Sequence, residues 1–387
     1  MERYIKIAGG KMRVILCLLV WMLVGAACDS FLDIAPSKKT NIELSKVEHL
    51  DALLAAINTT TGNTSLVLSP DITEISTDLY DKTNNGAPFY QHGIAYYLWM
   101  NQEVADLSGS GTWSSAYKNI FTANTVLENL SRVTGDEALK ADLKAEAHFI
   151  RAFQNWELLN TYCLPYSPEN MKEPGIPHKT STSFEQSLVR MNLEESYRFV
   201  EEDLKEALKI TVDNVNRRWR VSIPAVHSFL ARFYLFCHDY DQALKYADLA
   251  LQADARLVDY STEMYYGNEQ NSSQGPLQVP YLWWEAIYDP SVKLEWAEFY
   301  YQYFCPSREM LKLYDKENDL RYKYLMCENF SWRHNIKYTY PGYVYFRTSI
   351  PYGTTVQEMI LTKAECLARQ GKFQQAMETV NILRAKR

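Results

Sequence analysis

The sequence predicts an all-α protein in which tetratricopeptide-like helix pairs form the scaffold and long, irregular, aromatic-rich loops are inserted into it. Three observations lead to this fold class. Apolar residues recur at helical spacing in most segments outside the loops, and one helix-pair pattern occurs twice in register. Aromatic residues make up 13% of the chain, with 28 Tyr and 9 Trp, and many lie in stretches without helical periodicity.

Residues 1–27 are predicted to be a lipoprotein signal peptide. An uncharged, mostly apolar stretch over residues 14–24 is too short to cross a bilayer, which needs about 20 residues. The stretch therefore indicates export rather than a membrane anchor. Basic residues precede it, as they do in a secretory signal: Arg3, Lys6, Lys11 and Arg13.

Cys28 is the predicted lipidation site. It follows the small residues Gly25, Ala26 and Ala27, where a signal peptidase would cut. As the first retained residue, it would carry a diacylglyceryl group and fatty acyl chains such as palmitate. Two or more acyl chains hold a protein stably on a membrane. The alternative is an ordinary signal peptide followed by a coincidental cysteine.

The composition indicates a globular, acidic protein. The chain has 387 residues, of which 47% are hydrophobic, enough for a large packed core in one or two domains. Its formal net charge is −7, and the leader is basic, so nucleic acid is a poor candidate partner for the remainder. Five further cysteines are scattered without a C-x-x-C pair, which argues against a disulfide framework or a zinc site: Cys163, Cys237, Cys305, Cys327 and Cys366.

The helices can be placed in chain order by their apolar spacing. A first helix is predicted within residues 45–57, followed by an irregular region over residues 58–93. A long helix over about residues 137–162 is stopped by Pro165, and another runs over about residues 193–208. Before the helix over residues 137–162, another helix begins near residues 110–112 and carries one apolar stripe: Trp113, Tyr117, Ile120, Phe121, Val126 and Leu130.

An internal repeat is the strongest signal in the sequence. Six positions recur at identical offsets in two units, over about residues 224–253 and 356–386. Small residues, a turn and an aromatic residue follow one another as in a tetratricopeptide helix pair. Such pairs cannot stand alone, so other helices must complete the stack. The first unit has Ala231, Tyr234, Tyr240, Ala243, Ala247 and Ala250, and the second has Ala364, Leu367, Phe373, Ala376, Val380 and Leu383.

The segment between the two units, over about residues 254–355, has a different composition. It is rich in loops and rings, and it includes the strand-like stretch YTYPGYVYFRTSI, whose aromatic residues alternate. A long insertion into a repeat array usually carries function, because the array is a rigid frame and its loops recognise ligands.

Several stretches together resemble the SusD/RagB family of outer-membrane nutrient-binding lipoproteins. The resemblance implies a single SusD-like domain over residues 28–387. Family members generally continue beyond the pattern with which this chain stops at Arg387, so either the chain is truncated or the closing segment is lost. The matching stretches, in the family's order, are CDSFLDIAP, WSSAYKNIFTANTVLENL, AEAHFIRAFQNWELLNTYCLPYSP, RVSIPAVHSFLARFYLFCHDYDQALKYADLAL and VQEMILTKAECLARQGKFQQAMETVNILRAKR.

The resemblance implies a lipid-anchored, surface-exposed protein of the outer membrane. Such a protein binds an oligomeric or polymeric nutrient, with a glycan favoured, and passes it to a TonB-dependent SusC-like transporter. Two alternatives remain open: a peptide-binding, RagB-like uptake protein, and an extracytoplasmic helical scaffold with only protein partners. Tyr-rich clefts suit peptides as well as sugars, so the residues do not separate glycan from peptide.

No enzymatic activity, cofactor or metal is expected. The sequence lacks the G-x-S-x-G, H-E-x-x-H, phosphate-loop and G-x-G-x-x-G motifs, although a glycosidase with two distant carboxylates would need none of them. The stretch DKTNNG at residues 81–86 matches the first half of a calcium loop, but His92 stands where the bidentate Glu would be. An Asn-Gly turn is therefore the preferred interpretation.

Candidate ligand-binding residues lie in two loop-rich segments, where no helical stripe explains the rings. A sugar ring can stack on an indole face while polar side chains take its hydroxyls; the alternative is that these rings pack beneath the loops. Trp113 and Trp156 follow helical stripes and are predicted to be core residues. The candidates are Asp78, Tyr80, Asp81, Tyr96 and Trp99 in the loop over residues 78–99, and Trp283 and Trp284 in the segment over residues 281–288.

Overall fold

The computed structural model describes residues 43–57, 71, 73–75, 97–100, 111–213, 218–264, 286–288, 304–327, 331–332, 336–337, 342–343 and 353–387. By their internal contacts, residues 1–45 and residues 46–387 form separate units, and the elements below belong to the second. They are mostly helical, which confirms the predicted class. The helices are α1 (Val47–Ala55), α2 (Gly111–Asn129), α3 (Glu137–Tyr162), α4 (Leu193–Ala207), α5 (Ile223–Phe236), α6 (Tyr240–Ala253), α7 (Arg308–Leu311), α8 (Leu320–Leu325), α9 (Val356–Arg369) and α10 (Phe373–Arg384).

The strands are short, and every sheet among the described residues is a two-stranded antiparallel pair. The pairs are β1 with β5, β2 with β3, β4 with β10, β6 with β9, and β7 with β8. In chain order the strands are β1 (Thr73–Ile75), β2 (Pro174–Pro177), β3 (Arg190–Asn192), β4 (Ala286–Tyr288), β5 (Phe304–Pro306), β6 (Met326–Cys327), β7 (Ser331–Trp332), β8 (Ile336–Lys337), β9 (Gly342–Tyr343) and β10 (Thr354–Thr355).

Helix α3 is the central helix of the first half of the fold and packs against both α2 and α4. It has the predicted bounds, because the Asp136 side chain caps its first turn by accepting a hydrogen bond from the backbone N–H of Ala138 (2.8 Å). On α2, Ile120 is buried as predicted, whereas Phe121 is 44% exposed. Consecutive helical residues point about 100° apart, so Phe121 does not belong to the buried stripe.

The two predicted helix pairs are α5 with α6 and α9 with α10, and α6 packs against α9. Their turns are built alike. In the first pair the backbone N–H of His238 donates to the carbonyl of Leu235 (3.1 Å), and in the second pair the N–H of Gly371 donates to the carbonyl of Ala368 (2.9 Å). Residues 238 and 371 occupy the same register position, and both have positive φ, 60° and 76°. The shared left-handed turn supports the repeat assignment.

The two pairs differ at the aromatic position after the turn. Tyr240 of α6 is half-buried, and its ring is covered by the Arg369 guanidinium at 4.7 Å. Its counterpart in α10, Phe373, is 68% exposed. An aromatic residue at this position is expected to pack against its turn in both pairs. The ring is covered only in the first pair, at Tyr240. The physical reason is that α9 covers α6, whereas the described residues place no further helix on the outer side of α10.

An aromatic cluster joins α3 to the first helix pair. The ring of Phe229 from α5 lies 5.5 Å from Phe149, 5.1 Å from Phe153 and 5.4 Å from Trp156, measured between centroids. All four side chains are buried, which confirms the core position predicted for Trp156. Trp113 is only half-buried, so it lies at the edge of the core.

A buried ionic network ties α2, α3 and α4 together. Arg151 donates from Nε and Nη2 to the two carboxylate oxygens of Asp203, each at 2.7 Å. Its Nη1 donates to Oδ1 of Asn124 (2.9 Å), and Nδ1 of His148 lies 2.7 Å from Asp203 Oδ1. Because both oxygens of the carboxylate are satisfied, this buried charge is compensated.

Candidate functional site

Most of the predicted site residues lie outside the described residues. These are the lipidation site Cys28 and the candidate ligand contacts Asp78, Tyr80, Asp81, Tyr96, Trp283 and Trp284. Their roles stay predictions. Trp99 is described, and the strands on either side of the two ring-rich segments are described as well.

Trp99 presents an indole ring to solvent. Its side chain is 71% exposed, and the adjacent Leu98 and Met100 are exposed as well. The backbone at Trp99 has φ of 55°, a left-handed conformation that is uncommon for a bulky residue. Strained conformations of this kind cluster at functional sites, and the stacking role of Trp99 stays a prediction.

Two strand pairs fix the bases of the ring-rich segments. Strand β1 precedes residue 78 and pairs with β5, with Glu74 opposite Cys305. Strand β4, which forms the end of the 281–288 segment, pairs with β10, with Ala286 opposite Thr355. The strand pairs thus tie the region before residue 78 to the insertion, and the insertion to the start of α9.

Helix α5 anchors strand β10 by polar contacts. Oγ of Ser228 and Oγ1 of Thr354 lie 2.6 Å apart in a buried position. Arg232 donates to the carbonyl of Gly353 (2.6 Å) and pairs with both carboxylate oxygens of Glu358 in α9 (2.5 and 2.6 Å). The repeat frame therefore holds the end of the insertion rigidly.

A second candidate surface lies where α4 meets the turns of the two helix pairs. A cavity of about 750 Å³ opens there, and we call it the turn cleft. A smaller cavity of about 310 Å³ adjoins it and shares four lining residues with it: Tyr166, His238, Tyr240 and Arg369. Volumes of this size are typical of ligand sites.

The turn cleft is lined by more acidic than basic side chains. Glu194, Glu201, Asp239 and Asp241 face Arg198 and Arg369. Glu201 accepts a hydrogen bond from the Tyr234 hydroxyl (2.8 Å) and pairs with Lys205 (3.1 Å), both through Oε1. Each of the two aspartates also uses one oxygen: Asp239 Oδ1 caps α6 at Gln242 (3.1 Å), and Asp241 Oδ1 accepts from Gln370 (2.8 Å).

The acidic surroundings raise the pKa values of neighbouring groups. Burial, reinforced by the charges of Glu201 and Asp239, raises the pKa of the Cys237 thiol to about 12, so this thiol is neutral and unreactive at physiological pH. Burial is also the main cause of the raised pKa of Tyr166 and of Tyr234, and Glu201 adds to both shifts. These shifts agree with a negative potential in the cleft.

Most ring faces in the turn cleft are already covered. Tyr234 stacks on Tyr246 with centroids 5.7 Å apart and planes 7° apart. The Arg369 guanidinium lies over the Tyr240 ring, and Tyr166 meets Tyr197 edge-on at 4.8 Å. The cleft therefore offers charge and ring edges rather than a broad stacking platform.

Sequence analysis did not predict the turn cleft, although one signal was present. The turn CHDYD of the first repeat unit aligns with QGKFQ of the second, so His238 falls where the second unit has Gly371. A left-handed position in a helix-pair turn is best filled by glycine. A histidine at that position is a departure from the repeat pattern that could have drawn attention to the turn.

In the described part of the chain, no group of three or more His, Cys, Asp or Glu side chains is arranged to hold a metal ion. Within the same residues, no helix combines the length and apolar character needed to cross a membrane.

A rigid helical-repeat frame that carries exposed rings and a charged cleft is typical of a binding protein. A family model described as SusD-like, "Starch-binding associating with outer membrane", matches residues 30–235, which is more than half of the chain. The chain therefore belongs to this SusD-like family. No curated protein matches it.

Solved structures of SusD-like proteins share the fold. A SusD superfamily protein from Bacteroides thetaiotaomicron superimposes with a TM-score of 0.64 at 15% identity, covering 88% of this chain and 80% of that one. A SusD-like carbohydrate binding protein from Bacteroides vulgatus gives 0.62 at 16% identity, covering 88% and 75%. A laminarin binding SusD-like protein gives 0.57 at 16% identity, covering 87% and 84%. At these identities the likeness concerns the fold.

Proposed function

We propose that the protein captures a glycan at the cell surface and passes it to a TonB-dependent SusC-like transporter in the outer membrane. The family match over residues 30–235 carries this proposal, because the family is described as starch-binding and associated with the outer membrane. Two solved proteins of the same fold are described as carbohydrate-binding and laminarin-binding. These descriptions favour a glycan over a peptide as the ligand.

The proposed glycan site consists of the two aromatic loop segments, over residues 78–99 and 281–288. The exposed, conformationally strained Trp99 supports this placement. So do the strand pairs β1–β5 and β4–β10, which hold the bases of these segments on the helical frame. The remaining candidates would complete the site: Asp78, Tyr80, Asp81, Tyr96, Trp283 and Trp284.

The proposed activity is capture without hydrolysis. A glycosidase needs a carboxylic acid whose pKa is raised so that it can protonate the leaving group. Among the described Asp and Glu residues, every carboxyl group with a shifted pKa is shifted downward by hydrogen bonds or positive neighbours: Glu128, Glu169, Glu194, Glu206, Asp259, Glu263, Asp315 and Asp319. This direction favours ionised carboxylates, which suit binding.

Replacing Trp99 by alanine is expected to weaken glycan binding by about 1–3 kcal/mol, the loss usual for a stacking hot spot. The double replacement of Trp283 and Trp284 by alanine is expected to abolish binding. Isothermal titration against starch and laminarin oligosaccharides and a peptide library would measure both effects, with circular dichroism as the folding control.

Phe184→Ala is the matched control for Trp99→Ala, because this ring is 93% exposed and lies outside both loop segments. It should leave glycan affinity unchanged. Full glycan binding by folded Trp99 and Trp283/Trp284 variants would show that the rings are packing elements. Binding of peptides with no binding of glycans would instead favour the RagB-like alternative.

We also propose that Cys28 anchors the protein to the outer membrane through a lipid. Cys28→Ser is expected to yield an unlipidated protein that moves from the membrane to the aqueous fraction, because the thiol that accepts the diacylglyceryl group is gone. Detergent partition of cell extracts would measure the shift. Cys163→Ser serves as the control. Equal membrane retention of the Cys28→Ser variant would contradict the assignment.

A further inference from the structure

We infer that the turn cleft is a docking site for an extended protein segment that carries lysine or arginine side chains. The cleft is built from α4 and the turns of both helix pairs, not from the loop segments proposed to bind glycan. The inference therefore stands independently of the glycan proposal, and it assigns a second partner to the repeat frame.

The dimensions of the cleft fit a short stretch of polypeptide. The cavities of about 750 Å³ and 310 Å³ share four lining residues: Tyr166, His238, Tyr240 and Arg369. Together they enclose more space than one side chain fills. Residues from α4, from the turn after α5 and from the turn after α9 line it, so an occupant would contact both repeat units at once.

The charges of the cleft select a basic occupant. Arg369 pairs with Glu365 of its own helix (2.7 Å), whereas Arg198 lies 4.0 Å from Glu202, which is too far for a hydrogen bond. In the described part of the chain, Asp239 and Asp241 make no ion pair, and each uses only Oδ1 in its hydrogen bonds. Their second oxygens can accept hydrogen bonds from an ammonium or guanidinium group.

The rings of the cleft argue against a sugar. A sugar needs an open ring face, and Tyr234 is covered by Tyr246. The Arg369 guanidinium lies over the Tyr240 face, so the acidic side chains are the groups that an occupant can use.

His238 provides an independent reason to regard the cleft as functional. Its left-handed backbone is strained for a residue with a side chain, whereas Gly371 fills the same position in the second unit without strain. The imidazole is exposed and lies 6.4 Å from the Tyr166 ring and 6.2 Å from the Tyr240 ring. Strain of this kind is retained where a side chain serves a function.

The test uses the full chain and a fluorescein-labelled alternating Gly-Lys peptide, with Gly-Gln and Gly-Glu peptides of equal length for comparison. Fluorescence anisotropy should show saturable binding of the Gly-Lys peptide, binding of Gly-Gln weaker by about tenfold or more, and none of Gly-Glu. Added salt should weaken the Gly-Lys complex. Equal affinity for Gly-Lys and Gly-Gln would overturn the inference.

Two variants locate the binding. Asp239→Asn with Asp241→Asn should lower Gly-Lys affinity about tenfold, and asparagine keeps the helix cap at residue 239. The matched control, Glu137→Gln with Glu309→Gln, removes the same charge at exposed positions that do not line the cleft and should change affinity less than about twofold. An equal loss of Gly-Lys affinity in both double variants would mean that only the overall charge of the protein matters. That result would refute a specific binding site in the cleft.

His238→Gly separates binding from folding. Glycine should leave the melting temperature unchanged or raise it, because the turn then matches the second unit, while Gly-Lys affinity should fall several-fold. Unchanged affinity in this variant would refute the role of His238 in the cleft. A Trp99→Ala variant should bind the peptide normally. Loss of peptide binding in that variant, or displacement of the peptide by neutral starch oligosaccharides, would show that the cleft is not a separate protein-docking site.

Discussion

Replacing Phe229 by alanine is expected to lower the free energy of unfolding by about 3–5 kcal/mol. The ring is fully buried and contacts Phe149, Phe153 and Trp156 from α3. Its removal would leave a cavity at the junction between α3 and the first helix pair, and the three remaining rings are held by their own helix, so they can close the gap only in part. Urea unfolding followed by circular dichroism would measure the loss.

Phe184→Ala is again the matched control, because the same substitution is made at a ring that is almost fully exposed. Its effect should stay within about 0.5 kcal/mol. A loss for Phe229→Ala no larger than that of the control would mean that the aromatic cluster does not join the two parts of the core.

Asp203→Asn is expected to lower the free energy of unfolding by about 3–5 kcal/mol, because it removes one partner of a buried ion pair. Arg151 would keep its charge and lose the bidentate carboxylate that compensates it, and His148 would lose the same partner. Asparagine has nearly the same shape, so the loss would report the charge rather than a cavity. Denaturant unfolding at neutral pH is the measurement.

Glu202→Gln is the control for Asp203→Asn, because it makes the equivalent change at the preceding residue of α4. Glu202 is exposed, and its carboxylate lies as far as 4.0 Å from Arg198. Such a surface pair contributes about 0–1 kcal/mol to stability. Equal losses for the two variants would show that burial adds nothing to the Arg151–Asp203 pair. A double Arg151→Met, Asp203→Leu variant should recover much of the stability lost by Asp203→Asn, because no buried charge is left uncompensated.

The helical frame could be predicted because its signals are local. Helix α3 has a cap at Asp136, a continuous apolar face and a proline beyond its end, so its predicted and observed bounds agree. The repeat could be predicted because residues of the same kind recur at the same offsets, and Ala231 and Ala364, at equivalent positions, are both buried. These features depend on residues within one or two helical turns of each other.

Apart from β9, which lies in the predicted strand-like stretch YTYPGYVYFRTSI, the strands and the turn cleft could not be predicted, because they depend on residues far apart in the chain. Strand β2 has the sequence PGIP, and two prolines argue against a strand; it exists because Pro174 and Pro177 pair with Asn192 and Arg190 of β3. The cleft brings together α4, the turn after α5 and the turn after α9. No periodicity within a single segment indicates that these three meet.

The pairing of β4 with β10 has a consequence for how the protein can diversify. The two strands bring the ends of the intervening segment, residues 289–353, together at the side of α5. Once the ends of a segment are held, doubling its length costs only about 0.6 kcal/mol in closure entropy. Insertions into this segment are therefore tolerated wherever they leave α7, α8 and strands β5 to β9 in place, and a lineage can acquire a new ligand preference while inheriting an unchanged frame.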